Sequence, residues 1–173
     1  MKRFLLLFAL ALLPALAAFG QTPEEDPDVL YATELLAPGT VAPEIELPDA
    51  DGKTFSLSSL RGAPVVLVFW ASWCPDCRAE VPELKAMYEL YAPAGVRFVS
   101  VSFDRSIEKW KEYIAAESLP GVQLFDPAGK KESTVGAAFG VKWIPSLYLI
   151  GPDGKILVRT VVAGRIAKAL SSL

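Results

Sequence analysis

Apolar positions fall along this chain in two rhythms, continuous runs and helical stripes, and together they predict its elements. Residues 65–70, Val-Val-Leu-Val-Phe-Trp, are apolar without a break, the pattern of a strand covered on both faces. Residues 96–101 read as a second buried strand, and the stretch between, 75–91, reads as a helix. Residues 106–117 put Ile107, Trp110 and Ile114 on one stripe behind Ser106, a favourable N-cap. A short strand at 122–125, a weak helix at 132–139 and a terminal helix at 165–170 follow the same reasoning. Strands at 146–150 and 155–158 flank Gly151-Pro152-Asp153-Gly154, and those at 45–47 and 54–57 flank Asp49-Ala50-Asp51-Gly52-Lys53, so each pair predicts a hairpin. Alternating strands and helices that end in an antiparallel pair predict an α/β domain of three layers, a central mixed sheet flanked by helices.

The first forty residues break this rhythm. Lys2 and Arg3 precede an uncharged apolar run, 4–19, interrupted by Pro14 and closed by small residues up to Gly20. That is the form of a secretory signal peptide, expected over 1–20. An uncleaved membrane anchor is the alternative, but the run falls short of the ~20 residues that span a bilayer. Residues 21–40, with Pro23-Glu24-Glu25-Asp26-Pro27, read as an acidic, proline-rich linker with room for a short helix, and 41–173 as the folded domain. Export places the chain in a periplasmic or other extracytoplasmic, oxidising compartment.

Composition then narrows the chemistry. The 173 residues suit one domain, and 17 Lys and Arg against 20 Asp and Glu leave no basic excess for nucleic acid. Cleavage after Gly20 takes Lys2 and Arg3 and no acid, so 15 bases remain against 20 acids, a net −5. There is no histidine, which removes imidazole-based hydrolysis and His-ligated zinc. No cofactor and no metal is expected.

Chemistry concentrates in Cys74-Pro75-Asp76-Cys77, where the strand ending at Trp70 turns into the helix. With Pro75 as first helical residue, Cys74 sits at the N-cap, where free backbone N–H groups and the helix dipole favour a thiolate nucleophile. Cys77, three residues on, lies on the same face and can resolve a mixed disulfide by closing Cys74–Cys77. A purely structural disulfide would close so short a loop that its entropic gain is only about 2 kcal/mol. A zinc site would need ligands from a second chain.

The run from Val65 to Pro82, with Trp73-Cys74-Pro75-Asp76-Cys77 at its centre, resembles the TlpA/ResA group of thioredoxin-like proteins, part of the AhpC/TSA–redoxin-related thioredoxin family. Ala42-Pro43, Asp51-Gly52-Lys53 and Leu57-Ser58-Ser59-Leu60-Arg61-Gly62 look like that group's entry hairpin, and Val141-Lys142-Trp143-Ile144-Pro145-Ser146 like its proline loop. The resemblance covers about residues 41–162. It implies a thioredoxin-like fold with an N-terminal β-hairpin extension and a central helix-strand insertion between Phe103 and Phe125. It also implies a cis Pro145 facing the redox-active disulfide, Ile144 offering backbone groups to an extended substrate, and Trp73 packing beside Cys74.

Two positions depart from thioredoxins proper. Val68 stands where they bury an aspartate beneath the second cysteine, so a carboxylate must come from elsewhere, and Glu80, one turn after Cys77, matches the acidic residue of the TlpA/ResA group. Pro75-Asp76 between the cysteines adds a negative charge that opposes thiolate formation and favours a reducing couple. Pro82 is expected to kink its helix. The expected function is an exported thiol-disulfide oxidoreductase, a monomer that reduces disulfides in extracytoplasmic proteins, apocytochrome c among the targets the resemblance suggests, and is re-reduced by a membrane thiol-electron donor. A disulfide oxidase or isomerase has the same residues at a different potential. A thiol peroxidase is disfavoured by Leu67 and Ala71, where peroxiredoxins carry Pro and Thr, and a redox-inactive binding module would need neither cysteine.

Overall fold

The computed structural model describes residues 25–173. The expected signal peptide and residues 21–24 lie outside the described residues. In chain order the elements are α1 (Pro27–Tyr31), β1 (Glu46–Pro48), β2 (Thr54–Ser56), a 3-10 turn (Leu57–Leu60), β3 (Val65–Trp70), α2 (Pro75–Ala79), α3 (Val81–Tyr91), β4 (Arg97–Ser102), α4 (Ile107–Ala116), β5 (Val122–Phe125), α5 (Gly129–Glu132), α6 (Thr134–Ala138), β6 (Ser146–Ile150), β7 (Ile156–Thr160) and α7 (Ala163–Leu170). Five strands form the main sheet in the order β5-β4-β3-β6-β7. β3 runs parallel to β4 and antiparallel to β6, so the sheet is mixed, as the run of elements predicts.

The unbroken apolar run of β3 makes it the central strand, every residue buried. Alternation sends Val66, Val68 and Trp70 to one face and Val65, Leu67 and Phe69 to the other. On the second face Phe69 meets Phe103, Phe139 and Tyr148 in an aromatic cluster, with ring centroids 5.2 to 6.3 Å apart. On the first, α3 and α4 follow their strands in βαβ crossovers and α7 packs against α3. The β1–β2 hairpin reaches the outer strand β5 through the Asp49–Leu124 bridge, which covers an edge that would otherwise offer free backbone groups.

Three local readings change. The helix expected over 75–91 is two helices that meet at Glu80, because Pro82 has no N–H to give to the Arg78 carbonyl. The weak helix expected over 132–139 is α5 and α6, divided at Ser133, whose Oγ accepts the Gly136 N–H at 2.6 Å and starts a new helix. The larger correction concerns residues 26–40, expected as a linker. Ala32 and Leu35 are buried in the core, Gly39 N–H donates to the Ile156 carbonyl at 2.8 Å, and Ile156 N–H donates to that of Thr40 at 2.9 Å. Asp28 anchors this arm, accepting from Thr160 Oγ1 and Val161 N–H, both at 2.8 Å, and pairing with Arg165. An acid that composition alone assigns to solvent is here the partner of backbone and side-chain donors on the far end of the domain.

Candidate active site

Strand β3 ends, a short loop turns, and α2 begins with Cys74 as its N-cap. Cys74 has extended backbone angles, φ −87° and ψ 115°, which let its Sγ fold back and accept the Cys77 N–H at 3.3 Å. Pro75 occupies the first turn, where a missing N–H costs nothing. Cys74 Sγ–H donates in turn to the Ile144 carbonyl at 3.5 Å, across 70 positions of sequence. The Ile144–Pro145 peptide is cis. Two segments distant in the chain therefore meet at one sulfur.

Both cysteines are reduced and buried, Cys74 at 5% exposure and Cys77 at 3%. Burial is the main reason the Cys77 thiol is pushed well above the ordinary thiol range, and the Cys74 thiol beside it and the Asp76 charge add to the effect. Asp76 itself is exposed, so solvent screens much of its charge. Trp73 projects beside Cys74 at 57% exposure. Trp143, immediately before Ile144, stacks on Tyr31 of the N-terminal arm with centroids 4.4 Å apart, which carries the docked arm to the rim of the site.

Of the residues singled out in the sequence, Trp73, Cys74, Pro75, Asp76, Cys77, Ile144 and Pro145 come together. Glu80 is placed differently from the simple i, i+3 expectation. It stands half-buried at the break between α2 and α3, and its carboxylate faces the Ala163 N–H at the start of α7. Burial raises its pKa above the ordinary carboxylate value, the Ala163 N–H opposes that, and the charge of Glu83 reinforces it. Among the described residues it makes no hydrogen bond to either cysteine.

Sequence reasoning missed Asp104. Its buried carboxylate accepts Ser72 N–H at 3.0 Å, Ser72 Oγ at 2.7 Å and Ser102 Oγ at 2.7 Å. These bonds tie the loop that presents Cys74 to the end of β4 and satisfy a buried charge that would otherwise be costly. The available signal was Ser102-Phe103-Asp104 at the end of a buried strand, a polar pair where the chain should turn into solvent. Among the described residues no cluster of three or more Cys, Asp or Glu side chains is arranged to hold a metal ion.

A buried dithiol, its first sulfur at a helix N-cap and against a cis-proline loop, can exchange electrons with another disulfide through a mixed disulfide. Comparison with known proteins points to the same chemistry. The ResA thiol-disulfide oxidoreductase of Geobacillus thermodenitrificans is 31% identical over 165 residues, 91% of this chain and 86% of that protein. The ResA of Bacillus subtilis is 29% identical over 142 residues, 82% of this chain and 76% of that protein. Among solved structures, the thioredoxin domain of a Bacteroides vulgatus thiol-disulfide oxidoreductase matches with a TM-score of 0.73 at 29% identity, covering 79% of this chain and 97% of that one. A Chlorobium tepidum thiol:disulfide interchange protein described as DsbE matches with a TM-score of 0.70 at 31% identity, covering 79% and 94%. The AhpC/TSA family model matches residues 38–159, from the end of the docked arm through β7. The chain belongs to the AhpC/TSA family, and within it is a thioredoxin-fold thiol-disulfide oxidoreductase of the ResA kind.

Proposed function

We propose that this protein is an exported reductase of disulfides in extracytoplasmic proteins, with Cys74 as nucleophile and Cys77 as resolving thiol. The observation that carries this reading is the meeting of Cys74 Sγ, its Cys77 N–H donor and the Ile144 carbonyl beside cis Pro145. The Cys74 thiolate attacks one sulfur of a substrate disulfide, that S–S bond breaks, and the first substrate sulfur leaves as a thiolate and takes a proton. Cys77 then attacks Cys74 Sγ, the mixed disulfide breaks, and the second substrate thiol is released. The substrate gains two electrons and the protein ends with a Cys74–Cys77 disulfide. Ile144 supplies a backbone acceptor at the place where an extended substrate strand would lie, with Pro145 beneath and Trp73 at the rim.

The surroundings of Cys77 favour the reductase direction in this reading. A couple is oxidising when its thiolate is strongly stabilised in the reduced form, and burial of Cys77 with Asp76 nearby works the other way. That supports the reductase reading over an oxidase or isomerase. Peroxide chemistry has little support, since Ala71 carries no hydroxyl and Leu67 points into the core. Glu80, half-buried with a raised pKa, suits proton exchange with the dithiol region as disulfides form and break. A signal peptide over 1–20, as the sequence is read, would put the reaction outside the cytoplasm, where apocytochrome c is one substrate of the right kind and a membrane thiol-electron donor would restore the dithiol. The test is reduction of insulin disulfides with a thiol reductant present. The wild-type protein should accelerate it, Cys74→Ser should abolish the acceleration, and Cys77→Ser should accumulate a mixed disulfide at Cys74. Acceleration that survives Cys74→Ser would remove the proposal.

A further inference from the structure

The N-terminal arm reverses the ordinary logic of a surface helix. Asp26 and Asp28 reach the domain, where they bind Arg165, Thr160 and the Val161 N–H. Helix α1 itself buries none of its residues and leaves Val29, Leu30 and Tyr31 exposed, at 69%, 46% and 40%. A short helix held by its acids, with its apolar side chains turned to solvent, presents those side chains to a partner. The family model begins at residue 38, so α1 stands outside the family's shared domain.

The arm's contacts aim it at the proline loop. Tyr31 stacks on Trp143 with 4.4 Å between ring centroids and 24° between the planes. Behind Tyr31 the arm braces both ends of the loop. The Glu34 carbonyl lies so close to Gly140, at φ 69°, that no Cβ fits there, and Leu36 N–H donates to Tyr148 Oη at 3.0 Å. Within the loop the Trp143 carbonyl accepts Ser146 Oγ at 2.7 Å. Trp143 is thus held at ring and backbone, yet it stays 38% exposed. Each of the two residues that meet at the reactive sulfur follows an exposed tryptophan: Cys74 follows Trp73, and Ile144 follows Trp143. A substrate strand that reaches Cys74 along the Ile144 carbonyl passes Trp143 one residue away.

We propose that Trp143, held by Tyr31, determines substrate choice: it is a ledge on which a substrate protein rests an aromatic side chain next to its disulfide cysteine. The inference rests on the disulfide reduction at Cys74 described above and adds a selection of substrate to it. The surface left uncovered on Trp143 and Tyr31 is aromatic, and aromatic pairs gain more than the area they bury. An indole free to turn would give up its rotamers on binding. One already stacked has given them up, so more of the contact appears as affinity. Trp143 is the residue that touches substrate, and Tyr31 is a positioning residue that acts through it. The exchange step keeps its balance: Cys74 and Cys77 lose two electrons and join, and the substrate disulfide becomes two thiols. The ledge changes only which disulfides reach Cys74 in a productive pose.

The experiment uses two short peptides, each closed by one disulfide, that differ only in carrying phenylalanine or glycine before the first cysteine. Each is mixed in excess with the reduced protein, quenched in acid, and the reduced peptide is separated and counted. The readout is the ratio of the two second-order rate constants. The wild type should favour the phenylalanine peptide about tenfold. Trp143→Ala should erase that preference, and Tyr31→Ala should cut it to about threefold by freeing the indole. Tyr31→Phe, which keeps the stack, should retain it. A role in stability alone would slow both peptides alike and leave the ratio where it was. A wild type with no preference overturns the proposal, as does a preference that survives in folded Trp143→Ala. If the wild type reduces neither peptide, the reductase reading fails instead. Binding of the same labelled peptides to Cys74→Ser, followed by fluorescence anisotropy, then decides the ledge: affinity about tenfold higher for the phenylalanine peptide supports it, and equal affinity overturns it.

Discussion

Glu80 is a residue whose cost and use can be separated. Burial raises its pKa on folding, so the unfolded chain gives up this proton more readily than the folded one. The native state therefore loses stability as pH rises through the interval from the ordinary carboxylate value to the raised one. Glu80→Gln removes that penalty: urea unfolding should show the variant more stable than wild type at about pH 7 and indistinguishable at about pH 4. A variant less stable at neutral pH would mean that the favourable effect of the Ala163 N–H on the carboxylate outweighs burial. If Glu80 serves proton exchange, the same variant should slow disulfide exchange while it gains stability, the opposition expected of a functional charge. At this scale the dithiol was legible in the sequence because Cys74, Pro75 and Cys77 act through a single turn of helix. Asp104 was not, since its meaning depends on Ser72, to which only the folded sheet brings it near.

At the scale of elements, the same contrast holds. β3 was readable because an unbroken apolar run has few other uses, and the break at Glu80 was foreshadowed by Pro82. The arm at 26–40 was misread because its apolar residues are sparse and its anchor is charged. Asp28, its side chain 19% exposed, is bound by Thr160, Val161 and Arg165 at once, and Asp26 adds a second bond to Arg165 at 2.7 Å. Asp28→Ala should lower the free energy of unfolding by about 2–3 kcal/mol, because it strips partners from a part-buried backbone N–H and a guanidinium. Limited proteolysis should then cut near residues 30–36, where the wild type is protected. Equal protection in the two proteins would show that Ala32 and Leu35 hold the arm without Asp28.

For the whole molecule, topology and chemistry converge at one end of the sheet's central strands. The mixed order β5-β4-β3-β6-β7 sets the end of β3, which launches Cys74, beside the start of β6, which follows Pro145. The βαβ order predicted the parallel part and the final hairpin the antiparallel part, so the fold was largely legible. The direction of electron flow belongs to this scale too, since it depends on how burial, Asp76 and the helix N-terminus balance across the two sulfurs.

The reduction potential of the Cys74–Cys77 couple tests that balance most directly. It is measured by equilibrating the protein in thiol/disulfide buffers of defined poise and trapping the free thiols by alkylation. The account predicts one reversible two-electron couple near that of thioredoxin, about −270 mV. A value near about −120 mV, or cysteines that do not oxidise as a pair, would contradict it.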